Sequence, residues 1–115
     1  MKEKMRIYVS GKITGLPLLQ ADMKFKCAED AIRRAGHVPV NPMAIGAVVP
    51  GLDWKSYMTI AYGILQDPSI DAIYMLEDWK ESKGSVIEWA WAQSRGIEVL
   101  YQDPRHYEEQ KKERE

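Results

Sequence analysis

Short strand-like runs alternate with longer amphipathic runs along this chain, and that alternation constrains its fold more than any other feature. Runs rich in β-forming residues predict four strands, at Met5–Val9, His37–Val40, Asp71–Leu76 and Ile97–Tyr101. Strand–helix alternation with short turns predicts an α/β fold. We expect a doubly wound parallel sheet of four to five strands, in order 2-1-3-4, with helices on both faces.

The segments between the predicted strands have the apolar spacing of helices. This spacing extends over 20–35, 54–66 and 85–95, and Asp103-Pro104 predicts the start of a short C-terminal helix. Cys27 falls on the apolar stripe of the first helix and is expected in the core. Asp53 is the predicted N-cap of the second helix, after a loop over 42–53 that is rich in glycine and proline. This layout is of the Rossmann-like or flavodoxin-like type.

Composition limits the size and the partners of the protein. The 115 residues, 45% hydrophobic and 29% charged, predict one domain over 1–103 and a C-terminal helix with a charged tail over 104–115. The net charge of −1 argues against binding a nucleic acid polymer. Cys27, His37 and His106 have no ligand spacing, so no metal or other cofactor is expected. The single cysteine and the lack of an apolar leader or membrane span favour the cytoplasm.

The predicted topology also indicates where a ligand would bind. In a doubly wound sheet, ligands bind beyond the carboxyl ends of the strands, where the strand order reverses. That rule selects four segments of this chain, 10–18, 41–54, 77–88 and 101–106. Among their residues are Asn41, Asp78, Trp54 and Trp79. The tryptophans of this chain are expected in the core or at a subunit interface, although a base could also stack on Trp54 and Trp79.

The turn after the first strand is one candidate binding element. It contains Ser10, Gly11, Lys12 and Gly15. Free backbone N–H groups in such a turn can cradle an anion, and Lys12 would add positive charge. An ordinary turn that needs glycine for its backbone angles explains the same residues equally well.

The start of the predicted helix over 85–95 is the second candidate. Glu88 lies among apolar residues, and a carboxylate in such surroundings at the mouth of a site can act as a nucleophile or base. Ser82, Gly84 and Ser85 would lie beside the positive end of the helix. Ser85-x-x-Glu88 is also a capping box, in which Glu88 would bond to the N–H of Ser85, and the spacing alone favours this structural role.

Several motifs in order resemble one known superfamily. They are Ile7–Gly15, Val40-Asn41-Pro42, Trp54-x-x-Tyr57-Met58, Asp71–Leu76 with Trp79, and Ser82-x-Gly84-x-x-x-Glu88. The set resembles the nucleoside 2-deoxyribosyltransferase-like superfamily, and within it a phage and bacterial branch of uncharacterised domains. That superfamily also holds the 2′-deoxynucleoside 5′-phosphate N-hydrolases. The resemblance covers residues 5–101.

The resemblance implies roles for particular residues. Glu88 matches the carboxylate nucleophile, and Tyr8 matches the aromatic hydroxyl that holds it. Ser82 matches a serine that faces the 5′-phosphate in the nucleotide hydrolases, where the transferases have aspartate. Gly11, Lys12 and Gly15 match a turn near the sugar-phosphate. The family also implies a homodimer or larger homo-oligomer, because its members complete each site with a neighbouring subunit, and the tryptophans of the helix over 85–95 suit such an interface.

One position departs from the family pattern. The family usually has an aspartate in the helix before the third strand, where it contacts the base and assists its departure, and this chain has Ala61 there. Asp53 and Asp78, on neighbouring loops, are the acids that could replace it. Two hypotheses follow. The first is an enzyme acting on the N-glycosidic bond of a deoxynucleoside or its 5′-monophosphate, and the second is a non-catalytic nucleotide-binding or interaction module.

Overall fold

The computed structural model describes residues 4–114, except for the side chains of 47 and 111–114. Its elements are β1 (Arg6–Ser10), α1 (Leu18–Arg34), β2 (Val38–Val40), α2 (Met43–Val48), α3 (Trp54–Gln66), β3 (Ala72–Met75), a 3-10 turn (Trp79–Glu81), α4 (Lys83–Arg95), β4 (Glu98–Tyr101) and α5 (Arg105–Arg114). The strands form one sheet in order β2-β1-β3-β4, and every pairing is parallel. The predicted fold class and strand order are therefore confirmed.

The two faces of the sheet follow from the alternation of side chains along β1. Ile7 and Val9 point to the face that α1 covers, where they pack with Phe25. Tyr8 points to the opposite face, which α3 and α4 cover through a buried cluster that includes Ala61, Leu65, Ile73, Met75, Trp79 and Ala92. Ser10, two residues after Tyr8, is buried on the same face as Tyr8.

Side-chain caps fix where α3 and α4 begin. The Asp53 carboxylate accepts a hydrogen bond from the Ser56 N–H at 2.7 Å, as the sequence predicts. At α4 the cap is Ser82, whose hydroxyl oxygen accepts a bond from the Ser85 N–H at 3.1 Å. Because Ser82 rather than Ser85 occupies the cap position, Glu88 lies in the second turn of α4 and takes no part in capping.

The predicted place of Cys27 in the core is wrong. Its side chain is exposed, and Met23, one turn earlier on the same predicted stripe, is also exposed. The buried face of α1 carries Ala21, Phe25, Ala28 and Ile32. Because Phe25 packs against the sheet, α1 is rotated so that the side of the helix carrying Met23 and Cys27 faces away from the core.

The predicted loop over 42–53 is partly helical. α2 occupies Met43–Val48 despite Gly46, and the Asn41 side-chain oxygen accepts a bond from the Met43 N–H at 2.9 Å. That bond satisfies one of the N–H groups that the first helical turn leaves unpaired. Asn41 also donates to Glu29 of α1 at 2.9 Å, so its side chain joins two helices.

The C-terminal helix docks against the 3-10 turn. The Trp79 indole N–H donates to His106 Nδ1 at 3.3 Å, and Lys80 forms an ion pair with Glu109. Of the helix and charged tail predicted over 104–115, helix α5 occupies Arg105–Arg114. Residue 115, the side chains from 111 and residues 1–3 lie outside the described residues. No helix in the described part of the chain is long and apolar enough to cross a membrane.

Candidate active site

The Glu88 carboxylate is held by two hydroxyl groups of β1. Its Oε2 accepts a hydrogen bond from the Tyr8 hydroxyl and its Oε1 accepts one from Ser10, both at 2.6 Å. The two donors lie two residues apart on one strand, so they point to the same face. Glu88 is 4% exposed, and its carboxylate faces the sheet. The capping-box interpretation therefore does not describe this residue.

The surroundings of Glu88 favour its neutral form more than water does. Burial raises the pKa of Glu88 to about 7, while the hydrogen bonds from Ser10 and Tyr8 act in the opposite direction. A carboxyl group that titrates near neutral pH can change its protonation state during a reaction. Such shifted groups are concentrated at functional sites.

Tyr57 of α3 is a second aromatic hydroxyl in this group. It interacts with the Tyr8 hydroxyl and with the charge of Glu88. Burial, followed by the neighbouring Glu88, raises the pKa of both Tyr8 and Tyr57 above the usual value. Both phenols therefore hold their protons near neutral pH and serve as neutral hydrogen-bonding groups.

A cavity of about 230 Å³ opens beside Glu88. It lies beyond the carboxyl end of β1, on the side where the strand order reverses between β1 and β3. Its lining residues are Gly11, Ile13, Thr14, Leu52, Trp54, Tyr57, Met58, Ser82, Gly84, Ser85 and Glu88. Three segments supply this lining, namely the turn after β1, the start of α3 and the start of α4.

Two glycines allow these segments to approach one another. A Cβ atom at Gly11 would lie 2.6 Å from the Leu76 side chain, so the turn after β1 can pass over β3 only without one. A Cβ atom at Gly84 would lie 3.3 Å from Met58 Sδ and 3.7 Å from Trp54 Nε1. Gly84 thus lets the start of α4 close against the start of α3.

Polar groups of α4 and the turn after β1 lie at the mouth of the cavity. The Ser85 hydroxyl is buried and has no hydrogen-bond partner among the described residues. A neighbouring depression is lined in part by Lys12 and Lys83. Lys12 Nζ lies 3.8 Å from a Glu81 carboxylate oxygen, and Lys83 Nζ lies 5.0 Å from the centre of the Trp54 ring. Two ammonium groups and the Glu81 carboxylate therefore lie at this mouth, together with the positive end of a helix.

The structure brings most of the sequence-predicted site residues together. Gly11, Trp54, Ser82, Gly84, Ser85 and Glu88 line the cavity, Tyr8 and Ser10 bind Glu88 from behind it, and Lys12 lies at its mouth. Gly15 and Asn41 do not line it. Gly15 has a positive φ of 87°, which fits the structural explanation of that glycine, and Asn41 joins α1 to α2.

Asp78 holds the turn after β1 in place and does not line the cavity. Its Oδ2 pairs with Lys24 Nζ at 2.6 Å, and its Oδ1 accepts a bond from the Lys12 N–H at 3.1 Å. Lys24 also donates to the Lys12 carbonyl at 2.5 Å. We call this group of Lys12, Lys24 and Asp78 the turn clamp. Both side chains of its ion pair are about one-fifth exposed.

Trp79 lies in the core, which is one of the places the sequence predicts for it, and is not available to stack on a base. It is 3% exposed and stacks on Trp89 with ring centres 5.4 Å apart. Trp54 is 41% exposed and lines the cavity, so it is the predicted tryptophan that can contact a ligand. The difference arises because Trp79 begins the 3-10 turn and points back into the core.

Sequence reasoning placed Ile13, Thr14 and Leu52 in ligand-side segments without giving them a role, and it missed Tyr57 and Met58 as residues of the cavity. Tyr57 and Met58 fit the apolar stripe of α3, so the sequence assigns them to the core and does not predict their contact with the cavity. Their position in the sequence could have indicated this contact. They lie in the first turns of α3, whose cap Asp53 ends the loop at the ligand end of the sheet. The start of such a helix lies at the ligand end of the sheet.

Comparison with known proteins gives a family for this chain. No curated protein and no solved structure matches it. A family model described as a domain of unknown function, DUF4406, matches residues 5–101. The matched range extends from just before β1 to the end of β4 and includes Glu88, Tyr8, Ser10 and the whole lining of the cavity. The chain therefore belongs to the DUF4406 family of domains of unknown function.

Proposed function

We propose that this protein cleaves or transfers at the N-glycosidic bond of a deoxynucleoside or deoxynucleoside 5′-monophosphate, with Glu88 as nucleophile. The observation that carries the proposal is the hydrogen bonding of one buried, cavity-lining carboxylate by Tyr8 and Ser10. Two fixed donors leave the carboxylate few orientations, and a positioned nucleophile lowers the entropic cost of attack. The resemblance to nucleoside 2-deoxyribosyltransferases supports the same role.

The proposed reaction has two steps, as in retaining glycosidases. Glu88 attacks C1′ and the base departs, which leaves a glycosyl ester on the enzyme, and water or a second base then attacks C1′ and releases Glu88. Tyr8 and Ser10 hold the carboxylate and stabilise its charge when it is released. Trp54 offers a partly exposed indole ring for the departing base.

The mouth of the cavity supports a phosphorylated substrate. Ser82, Lys12 and the start of α4 together provide a hydroxyl, an ammonium group that also lies 3.8 Å from a Glu81 carboxylate oxygen, and the positive end of a helix, which are groups that bind phosphate. Ser82 stands where the nucleotide hydrolases are expected to have serine. We therefore expect the 5′-monophosphate to have a higher kcat/KM than the free nucleoside.

A second candidate, a non-catalytic nucleotide-binding or interaction module, is favoured by one observation. Ala61 is fully buried in the cluster between α3 and the sheet, so the position that usually carries the leaving-group acid contributes no acid here. A positioned proton donor contributes ~10²–10⁴-fold to such reactions. A site without one could retain binding while losing most of its rate.

Base release from a panel of deoxynucleosides and their 5′-monophosphates tests the proposal. We expect release by the unaltered protein, loss of more than about 10³-fold in Glu88→Gln, and no change in Glu98→Gln, a matched substitution at an exposed position of β4. The proposal also predicts a mass increase of one deoxyribosyl group on Glu88 in quenched reactions. Ligand binding without any release, equal in both variants, would favour the module.

We also propose that the protein self-associates. The tryptophans of α4 pack internally, since Trp89 donates to the Tyr101 hydroxyl and Trp91 contacts Tyr62 edge to face. The exposed apolar side chains nearby are Ile60, Tyr62 and Val86, on α3 and α4. These are the surfaces that we expect to meet in a dimer or larger assembly. A monomeric mass in light scattering at micromolar concentration would contradict this proposal.

The cytoplasm is the proposed location. Cys27, the single cysteine, is free and exposed, which suits a reducing compartment. Recovery of the protein in the cytoplasmic fraction of its source cell would support the assignment, and recovery from an oxidising compartment would contradict it.

A further inference from the structure

The residues around the cavity supply a nucleophile, and they supply poor proton donors for a departing base. The carboxylates near the cavity, among the described residues, that could replace an acid at position 61 are Asp53, Asp78 and Glu81. Glu81 lines the neighbouring depression, and its carboxylate oxygen lies 3.8 Å from Lys12 Nζ. Asp53 caps α3, and Asp78 is paired with Lys24 in the turn clamp. The carboxyl group among the cavity-lining residues is Glu88, which the reaction uses for attack.

The remaining lining groups do not replace that acid. Ile13, Leu52, Trp54 and Met58 are apolar or aromatic. Burial and the neighbouring Glu88 raise the pKa of Tyr57, so this phenol gives up a proton less readily than a free one. A purine or pyrimidine that is neutral in the substrate would therefore leave this cavity as an anion, because no group protonates it effectively.

Resting on the proposed function, we propose that this site is specific for N-glycosides whose leaving group needs no proton. The chemical class is a glycoside with a positively charged ring on C1′, such as a pyridinium or an N7-alkylated purine. Three features next to one another support the inference. They are the Glu88 carboxylate held by two hydroxyls, the aromatic and apolar lining of the cavity, and nearby acids that already have other partners. Such a substrate would need the Glu88 nucleophile but no acid at position 61, where this chain has Ala61.

The electrons and atoms of this reaction balance without an acid. A Glu88 oxygen forms a bond to C1′ while the C1′–N bond breaks, and its electron pair passes to the ring nitrogen and cancels the ring's positive charge. The heterocycle leaves as a neutral molecule. Water then bonds to C1′ and transfers its proton to the solvent, and the C1′–O bond breaks with its electron pair returning to Glu88.

Two features of the cavity favour a positively charged ring. The Trp54 ring already has an ammonium group, that of Lys83, 5.0 Å from its centre, so a cation can reach its face. Lys83 is exposed and can move away when a ring stacks there. The negative charge of Glu88 attracts the same cation from within the cavity.

Matched pairs of substrates test this inference. The pairs are 2′-deoxyguanosine 5′-monophosphate and its N7-methyl derivative, and the two corresponding nucleosides, each measured against spontaneous hydrolysis in the same buffer. We expect kcat/KM to be at least about 10²-fold higher for the methylated member, since that is the contribution an acid would otherwise supply. The gain should appear in kcat, because the missing proton affects the chemical step and not binding.

Three results would overturn the inference, and they are distinguishable from one another. Rates within tenfold for the two members of a pair would show that the site protonates its leaving group, and would leave the proposed function intact. A gain confined to KM would show that the positive charge only improves binding. No release from any substrate, or equal release by Glu88→Gln, would contradict the proposed function itself.

A second series of substrates separates the need for a proton from the effect of positive charge. Aryl 2-deoxyribosides with progressively more acidic phenols carry no positive charge and also leave without a proton. We expect log kcat to rise steeply as the phenol becomes more acidic, and Trp54→Leu to raise KM for the methylated purine more than for the phenols. A flat dependence on phenol acidity would contradict the inference whatever happens with the purines.

Discussion

Two carboxylates beyond the carboxyl ends of the strands show how one chain uses the same group in two ways. Asp78 in the turn clamp accepts from a backbone N–H and from the ammonium group of Lys24. Glu88 accepts from two hydroxyl groups and has no cation among its hydrogen-bond partners in the described residues. Asp78 is thus charge-compensated and fixes a loop, whereas Glu88 is desolvated with only neutral donors, and its pKa is raised to about 7.

Shielding from solvent alone therefore does not distinguish a candidate catalytic carboxylate from a structural one. What separates Glu88 from Asp78 is the kind of partner, because neutral hydroxyls orient a carboxylate without compensating its charge. Asp78 contributes to stability, while Glu88 should lower stability at neutral and higher pH.

Glu88→Gln should stabilise the protein at high pH. The native pKa of Glu88 is about 7 against an ordinary value of 4.5, so the native state holds a proton that the unfolded chain loses as the pH rises between these values. The stability of the unaltered protein therefore falls by about 3 kcal/mol from pH 4.5 to 7 on account of this residue and stays low above pH 7.

Urea denaturation across that pH range measures the effect. Glu88→Gln should be more stable than the unaltered protein by about 2–3 kcal/mol at pH 8.5 and nearly equal to it at pH 4.5. Glu98→Gln, at an exposed position, should follow the unaltered curve. If Glu88→Gln were less stable at pH 8.5, Glu88 would be a structural residue like Asp78, and the contrast would fail.

Removal of either partner from the turn clamp should have the opposite effect. Lys24→Met or Asp78→Asn should each cost about 2 kcal/mol, because the remaining charge, about one-fifth exposed, loses its partner. The double variant should cost less than the sum of the two, and a double-mutant cycle from urea midpoints gives the coupling. Additive losses would show that the ion pair does not hold the turn.

The pH dependence of base release should move when Tyr8 loses its hydroxyl. In the proposed reaction the deprotonated form of Glu88 attacks, so kcat/KM should rise with pH and level off above a midpoint of about 7. Tyr8→Phe removes a donor that favours the charged form, so its midpoint should lie higher, by on the order of one pH unit. A midpoint that did not move would mean that Tyr8 does not act on Glu88.

Much of the fold was predictable because its signals are local. The alternation of strands and helices, the Asp53 cap and the strand order all follow from short-range patterns and general topological rules. The start of α4 was less predictable, because Ser82 and Ser85 are both good caps and only packing against α3 selects one. The prediction for Cys27 was wrong for a similar reason, because packing of Phe25 against the sheet sets the orientation of α1.

The residues at the centre of the candidate site were easier to predict from the sequence than the residues that line the rest of the cavity. Glu88, Tyr8 and Ser82 carry motif signals, and the turn after β1 follows from topology. Tyr57 and Met58 satisfy helix periodicity whether or not they touch a cavity, so sequence spacing cannot separate the two roles. The engagement of Asp78 by Lys24 joins residues 54 positions apart, and no local pattern reveals such a pairing.

The two donors on β1 have a consequence for the making of the protein as well as for its chemistry. Tyr8 and Ser10 are presented to Glu88 only in one register of the sheet, because a slip by one residue would offer Ile7 and Val9 in their place. A misassembled molecule would then have a stranded carboxylate and no working centre. Any activity that depends on Glu88 would consequently report correct pairing of β1 in the sheet.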